Sequence, residues 1–272
     1  LLRQVQEHFP RMKRLGREER EAYRLDVDAL RKTVSEKTGL LVLTNPHTPS
    51  GAVANSSELK EIMAIAREYG FYVLCDEIYA EFDRNAIPTI FSIDEELGIV
   101  TTSFTKAYGL GGLRLGIALV KIELVNGFYM DVLNTVGNSS NIVQLIATEL
   151  LTKNREKLES HKQRWTNLKT ETEKWLKEKN FEYFPNKVGV TYWVKTPIKD
   201  TYRWTNDHTI LRYSLASVPG TFFLFKSNNK FVRSDMIRLS LGNINPENPN
   251  LTEAFNVLEK AFDTYKSAGK NN

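Results

Sequence analysis

The sequence predicts an α/β protein, a mostly parallel sheet sandwiched by helices, followed by a smaller C-terminal α+β domain. Three observations carry this. Over roughly the first half of the chain, short continuous apolar runs alternate with helical periodicity, the pattern of βαβ units whose strands are buried on both faces. The notable polar clusters of that half fall where those runs stop. Past about residue 156 the pattern changes to a long amphipathic stretch and then to short strand-like pieces. The expected division is therefore 1–155 for the large domain and 156–272 for a bridging helix and small domain.

Leu40-Leu41-Val42-Leu43-Thr44 reads as a buried strand running into a turn at Asn45-Pro46. After a loop of turn formers, Ser56-Ser57-Glu58 precedes apolar positions at Leu59, Ile62, Met63, Ile65 and Ala66, an amphipathic helix closed by Gly70. Phe71 to Cys75 is the next strand, running into Asp76-Glu77-Ile78-Tyr79. Residues 98–103 and 115–120 read as two more strands. From Asn141 to about Lys179 the spacing predicts one helix followed by a long bridging one. Residues 188–194 and 236–241 read as strands of the small domain, Val218-Pro219-Gly220 as a turn before the second of them, and 252–265 as a closing helix.

Composition excludes several classes. At 41% hydrophobic and 26% charged residues, the 272-residue chain is neither disordered nor membrane-spanning in character. Its net charge of +4 comes from 37 basic and 33 acidic residues interspersed along the chain, without the basic stripe of a nucleic-acid footprint. The single cysteine, Cys75, cannot form an internal disulfide, which fits a reducing compartment, and the cytoplasm is the default expectation. His8, His47, His161 and His208 lack metal-ligand spacing, so no metal is expected. The chain opens on Leu1 without a charged-then-apolar leader pattern, and a fragment or processed form is the expectation.

Asn45, Asp76 and the run Ser103 to Lys106 all sit at predicted strand ends. In an open parallel sheet, ligands bind at the carboxyl ends of the strands, so these clusters are expected to face one site. Asp76 ends an apolar strand, where a carboxylate is costly unless a cation partners it. Glu77 is the candidate for a blander role, a helix cap or a surface acid. Arg114 offers a planar fork of donors that matches phosphate, and the hydroxyls of Ser103 and Thr105 suit the same ligand.

These clusters resemble the fold-type I, class I/II aminotransferases over most of the chain, from about Arg24 to the C-terminal helix. Asn45-Pro46-His47-Thr48-Pro49-Ser50-Gly51 resembles the family's NPxNPxG loop, and Asp76-Glu77-Ile78-Tyr79 its DExY. Ser103-Phe104-Thr105-Lys106-Ala107-Tyr108-Gly109-Leu110-Gly111-Gly112-Leu113-Arg114-Leu115-Gly116 resembles its SxSKxxGLxGxRxG. The resemblance implies pyridoxal 5'-phosphate held by Lys106 as a Schiff base, Asp76 against the pyridine nitrogen, and Tyr79 and Thr48 at the phenolic oxygen. It assigns the phosphate to Ser103, Thr105 and Arg114, and the substrate α-carboxylate to Arg238. Asn45 is expected to shape its loop and to face the substrate side. The implied reaction is amino-group transfer between an amino acid and a 2-oxo acid, in a homodimer that binds neither nucleic acid nor membrane.

Two departures accompany the resemblance. Thr48 stands where the family has an asparagine, and its hydroxyl has a shorter reach than an amide. The family's N-terminal arm, glycine-containing phosphate loop, ring-stacking aromatic residue and partner-donated tyrosine have no counterpart among these 272 residues. On its own, this length of chain is expected to show little activity. A lyase or synthase acting on an amino acid would use the same lysine, aspartate and arginine, because the cofactor carries the chemistry. Two further readings stay open beside it: the aminotransferase-like effector domain of a transcription regulator, and a degenerate homologue that binds cofactor poorly.

Overall fold

The computed structural model describes residues 11–184, 186, 188–224, 232–243 and 251–269. His8 and the opening at Leu1 lie outside them. Helix α1 (Val27–Thr33) is capped by the Asp26 carboxylate, which accepts from the Ala29 N–H, and leads into strand β1 (Leu40–Thr44). Helix α2 (Ser56–Tyr69) begins at a capping box one residue earlier than the sequence suggests: Asn55 Oδ1 accepts from the Glu58 N–H while the Glu58 carboxylate accepts from the Asn55 N–H. It ends at Gly70, whose φ of 72° is left-handed.

Strands β2 (Tyr72–Asp76) and β3 (Gly98–Ser103) lie parallel beside β1, and the sheet order is β1-β2-β3-β4. The parallel arrangement sets the ends of β1, β2 and β3 side by side. Strand β4 (Gly116–Leu119) runs antiparallel to β3, with Ser103 opposite Gly116. Its direction follows from the connection: residues 104–115 contain only the short 3-10 turn Gly111–Leu113, too little for the crossover helix a parallel strand needs. The core beneath the sheet is made by Leu59, Ile62, Met63, Ile65 and Ala66 of α2 against Val73, Cys75 and Val100. Each large aliphatic side chain buried there contributes about 1.5–3 kcal/mol.

Helix α3 (Ile122–Thr135) has no counterpart in the sequence reading. It has no buried side chain, and in α4 (Asn141–Lys153) Ala147 alone is buried. Ile122, Tyr129, Met130, Val136, Ile142 and Leu145 leave an open apolar face there. The long helix α5 (Arg155–Glu178) buries Trp165, Leu168, Trp175 and Leu176 in a second core.

That core underlies an antiparallel sheet of order β5-β6-β8-β7, built from β5 (Tyr183–Phe184), β6 (Thr191–Lys195), β7 (Val218–Pro219) and β8 (Met236–Ser240). Two expectations shift here. The strand expected over 188–194 starts at Thr191, because Gly189 turns the chain at φ 98°. Val218-Pro219 pairs with β8 as a short edge strand rather than a turn, a position where proline's missing N–H faces no partner. Helix α6 (Leu251–Gly269) closes the domain with Leu258, Ala261 and Phe262 buried, and Trp204 stacks on Phe262 at 4.6 Å. Tyr79 belongs to this second core, so the segment after β2 joins the two halves. Among the described residues, no helix is long and apolar enough to cross a membrane.

Candidate active site

The loop after β1 is shaped by its own side chains. Asn45 is buried, its Oδ1 accepting from the Ala54 N–H at 2.9 Å and its Nδ2 donating to the Ala54 carbonyl at 3.4 Å. Both ends of the amide are spent on the loop, and Asn45 is not among the residues lining the cleft beside it. The expectation that it faces the substrate side is corrected accordingly. Gly51, at φ 75°, lets the loop turn back against Asn186. Thr48 lies in the cleft lining, its N–H donating to Thr44 Oγ1 at 3.4 Å.

The cleft has a volume of about 1740 Å³, and Thr48, Asp76, Tyr79, Lys106, Trp193 and Arg238 line it together. Asp76, the last residue of β2, accepts from the Ile78 N–H at 3.1 Å. Burial holds its carboxyl above the ordinary range, opposed by that hydrogen bond and by Lys106. Lys106 Nζ stands 6.0 Å from the centre of the Tyr79 ring. Its amine is held below the ordinary lysine range, first by burial and then by Arg238, with Asp76 acting the other way. Burial raises the Tyr79 phenol, which Arg238 opposes. Arg238 comes from β8 of the small domain, its Cζ 5.2 Å from the Phe223 ring and its buried Nε without a hydrogen-bond partner.

Ser103, Thr105 and Arg114 are not brought into this lining. They lie along residues 103–114, the same segment that presents Lys106. Ser103 Oγ accepts from the Thr105 N–H at 3.2 Å, so its own proton stays available. Arg114 is left-handed at φ 54° and exposed, with Nη1 donating to the Gly111 carbonyl at 3.2 Å. Glu77 is not a surface acid: its side chain is fully buried, ion-paired to Arg84 at 2.5 Å, and it caps the short helix Ile90–Ile93 from a distance, accepting from the Ile90 N–H at 3.2 Å.

Among the lining residues that escaped the sequence reading as site residues are Trp193, Tyr23 and His47. Trp193 sits opposite Arg238 in the β6–β8 register, a relation visible only once the two strands are paired. Tyr23 lies 6.4 Å from His47, rings near parallel. His47 bonds Ser50 Oγ at 2.8 Å, and burial, then Arg17, lowers its pKa to about 3, so it is neutral at physiological pH. Its place inside the NPxNPxG-like loop was the available signal. Among the described residues, no group of three or more His, Cys, Asp or Glu side chains is placed to hold a metal.

Asp76 carries a stability consequence. A carboxyl whose folded value is raised keeps its proton to higher pH in the folded chain than in the unfolded one, so its contribution falls as pH rises through that window. In the cofactor-free chain, Asp76→Asn is expected to raise the melting temperature at neutral pH. The gain should shrink as pH falls through the raised folded value and vanish below about 3, where aspartate is protonated in both the folded and the unfolded chain. Melting curves across pH check this, and a neutral-pH loss would contradict it.

The model of the family described as aminotransferase class I and II matches residues 11–255. A histidinol-phosphate aminotransferase of Thermoanaerobacter pseudethanolicus is 33% identical over 133 residues, covering 48% of this chain and 36% of the relative. An aspartate aminotransferase of Pyrococcus abyssi is 33% identical over 121 residues, covering 40% and 31%. Among solved structures, a PLP-dependent aminotransferase from Streptococcus suis superposes at a TM-score of 0.78 with 24% identity, over 91% of this chain and 63% of that one. Thermus thermophilus aspartate aminotransferase with maleate gives 0.77 and 22%, over 90% and 62%. The matches thus span about a third of the length of these curated relatives and under two thirds of the solved chains. With the family model matching residues 11–255 of the chain's 272 and the same fold in these solved structures, the chain belongs to the class I and II aminotransferases.

Proposed function

We propose that this chain carries the reacting centre of a pyridoxal-phosphate-dependent aminotransferase, which moves an amino group between an amino acid and a 2-oxo acid. The observation that carries the reading is the meeting of Lys106, Asp76, Tyr79 and Arg238 in one cleft, with the lysine amine held below its ordinary range. The residues fit the cofactor. Asp76 is a part-buried carboxylate wanting a cation, and Arg238 has a buried Nε wanting an acceptor. Asp76 and Tyr79 would hold the ring, while Ser103, Thr105 and Arg114 offer hydroxyls and a guanidinium to the phosphate. Bound there, the cofactor supplies a carbonyl for the amine and an electron-withdrawing ring.

The chain's own residues do the rest. With the cofactor bound, Asp76 would favour a proton on the ring nitrogen by its negative charge. Lys106 Nζ, neutral more often than a solvated lysine, can attack a carbonyl and can afterwards take or return the substrate α-proton. Arg238 orients a carboxylate, and its positive charge helps keep the lysine neutral. Tyr79 presents its phenol beside them. The division into residues 1–155 and 156–272 belongs to the same reading, supported by the break at Asn154 between α4 and α5. So do a homodimer, supported by the open apolar face of α3 and α4, and a cytoplasmic location, supported by the lone unpaired Cys75.

The test is covalent trapping. Mixing the chain with pyridoxal 5'-phosphate and then borohydride is expected to fix one cofactor, mapped by mass spectrometry to Lys106. An adduct on another lysine, or none, would sink the reading.

A further inference from the structure

A chain of polar contacts outside the cleft links the two segments that meet in it. Tyr108, two residues beyond Lys106, donates its hydroxyl to Glu81 Oε2 at 3.0 Å. Glu81 Oε1 accepts from Arg84 Nε at 2.9 Å and from Arg84 Nη2. Arg84 Nη1 in turn reaches Glu77 Oε2 at 2.5 Å, and Glu77 Oε1 accepts the Ile90 N–H. Glu77 is the fixed end, being fully buried between Asp76 and the Ile78-Tyr79 pair. None of Glu77, Glu81, Arg84 or Tyr108 lines the cleft.

We propose that Tyr108 is a positioning residue for Lys106, acting through Glu81 and Arg84 to fasten the lysine's loop to the segment that carries Asp76 and Tyr79. Phe104 and Ala107 on either side of the lysine are buried, so packing seats the loop and the Tyr108 hydroxyl adds a polar tie to it. Lys106 sits between backbone bonds from Gly109 N to its own carbonyl at 3.2 Å and from Leu110 N to the Phe104 carbonyl at 3.0 Å, both internal to the loop. The Tyr108 hydroxyl reaches outside it, to an acid whose own position is set by two bonds from one guanidinium. Charge-assisted bonds of this kind are short and directional, so they fix a distance as well as an affinity. The ring of Tyr108 also packs against Phe104 at 5.3 Å, a contact that a phenylalanine keeps while losing the hydroxyl's bond to Glu81.

This rests on Lys106 as the reactive amine, and the test is chosen to need no cofactor. The full cofactor-free chain is labelled with trace acetic anhydride across pH, and the labelling of Lys106 is compared with that of exposed lysines such as Lys153 by mass spectrometry. The groups facing Lys106 are Asp76 at the end of β2, the Tyr79 phenol and Arg238 of β8. Burial is the largest influence on the amine, so a loop that loosens lets it return towards ordinary basicity.

In Tyr108→Phe, Lys106 labelling near pH 8 is expected to fall about threefold relative to the standards. Hydrogen exchange of residues 104–110 should quicken while that of β1 and β2 does not. Glu81→Gln, which keeps the shape but weakens the clasp, should move both readings the same way. The double variant should change little beyond Tyr108→Phe alone, the non-additivity of one shared link. Lys106 labelling equal to the parent's in both single variants would overturn the proposal, as would a change shared by all lysines and all amides, which marks general loosening. If the reading of Lys106 itself is wrong, borohydride trapping on the parent fails, whatever the labelling shows.

Discussion

Lys106→Ala is expected to remove borohydride-fixable pyridoxal phosphate from the chain entirely and to slow exchange of a substrate α-proton by at least about 10³-fold. The size follows from two roles resting on one nitrogen. As a nucleophile, Nζ must be neutral, and its environment supplies that: burial disfavours the ammonium, Arg238 repels it, and Asp76 only partly compensates. As a proton carrier, the same atom must lie within reach of the α-carbon, and Lys106 is the cleft lysine that the segment after β3 presents beside Asp76 and Tyr79. Lys106→Arg is the informative control, since it keeps a positive charge beside Asp76 and the Tyr79 ring but has no amine to react. Its non-covalent cofactor affinity should fall less than that of Lys106→Ala, while trapping is lost in both. Equilibrium dialysis and the mass of the reduced protein separate the two effects. Trapping that persisted in Lys106→Ala would assign the chemistry to another residue.

Much of this arrangement was legible in the chain itself. Lys106, Asp76 and Tyr79 announce themselves because each follows a buried apolar run, and strand ends of a parallel sheet share one side of the molecule. Arg238 is far away in sequence, and its recognition came from the surrounding pattern rather than from physics; an arginine alternating with apolar neighbours on a strand is commonly solvent-facing.

What could not be read is instructive in physical terms. The direction of β4 depends on how the chain turns after Ser103, and an apolar run carries no direction. Helix α3 is apolar around much of its circumference and buries no residue, so it shows no single stripe to read against a polar face. Glu77 reads as a surface acid because its partner, Arg84, lies seven residues on, beyond the 3-10 turn Ala80–Asp83, and not at the i+3 or i+4 spacing of a helical ion pair. Asn45 belongs to the opposite error. Its motif suggested a side chain looking outward, whereas an amide in a tight loop satisfies backbone groups first, and Ala54 takes both of its ends.

Gly51→Ala is expected to cost about 3 kcal/mol of stability, summing a left-handed penalty of roughly 1 kcal/mol with an overpacking penalty of about 2 kcal/mol. The backbone at Gly51 has φ 75°, which residues with a Cβ adopt only at a cost, and its N–H donates to the His47 carbonyl at 2.7 Å to close the loop. An added Cβ would also meet the Asn186 side chain head on, with Cγ and Oδ1 both nearer than any real contact allows. Asn186 cannot simply swing away. Its Nδ2 donates to the Thr191 carbonyl at 2.6 Å and its Oδ1 accepts from the Val188 N–H at 2.9 Å, so the same amide shapes the turn entering β6. The clash therefore bears on both halves of the molecule at once: the loop that carries Thr48 and the strand that carries Trp193. Asn186→Gly in the Gly51→Ala background relieves the collision but sacrifices those two bonds, and should recover only part of the loss. Chemical denaturation of the two single variants and the double measures the coupling directly. A Gly51→Ala chain as stable as the parent would mean that the loop and the β6 turn do not press against each other in solution.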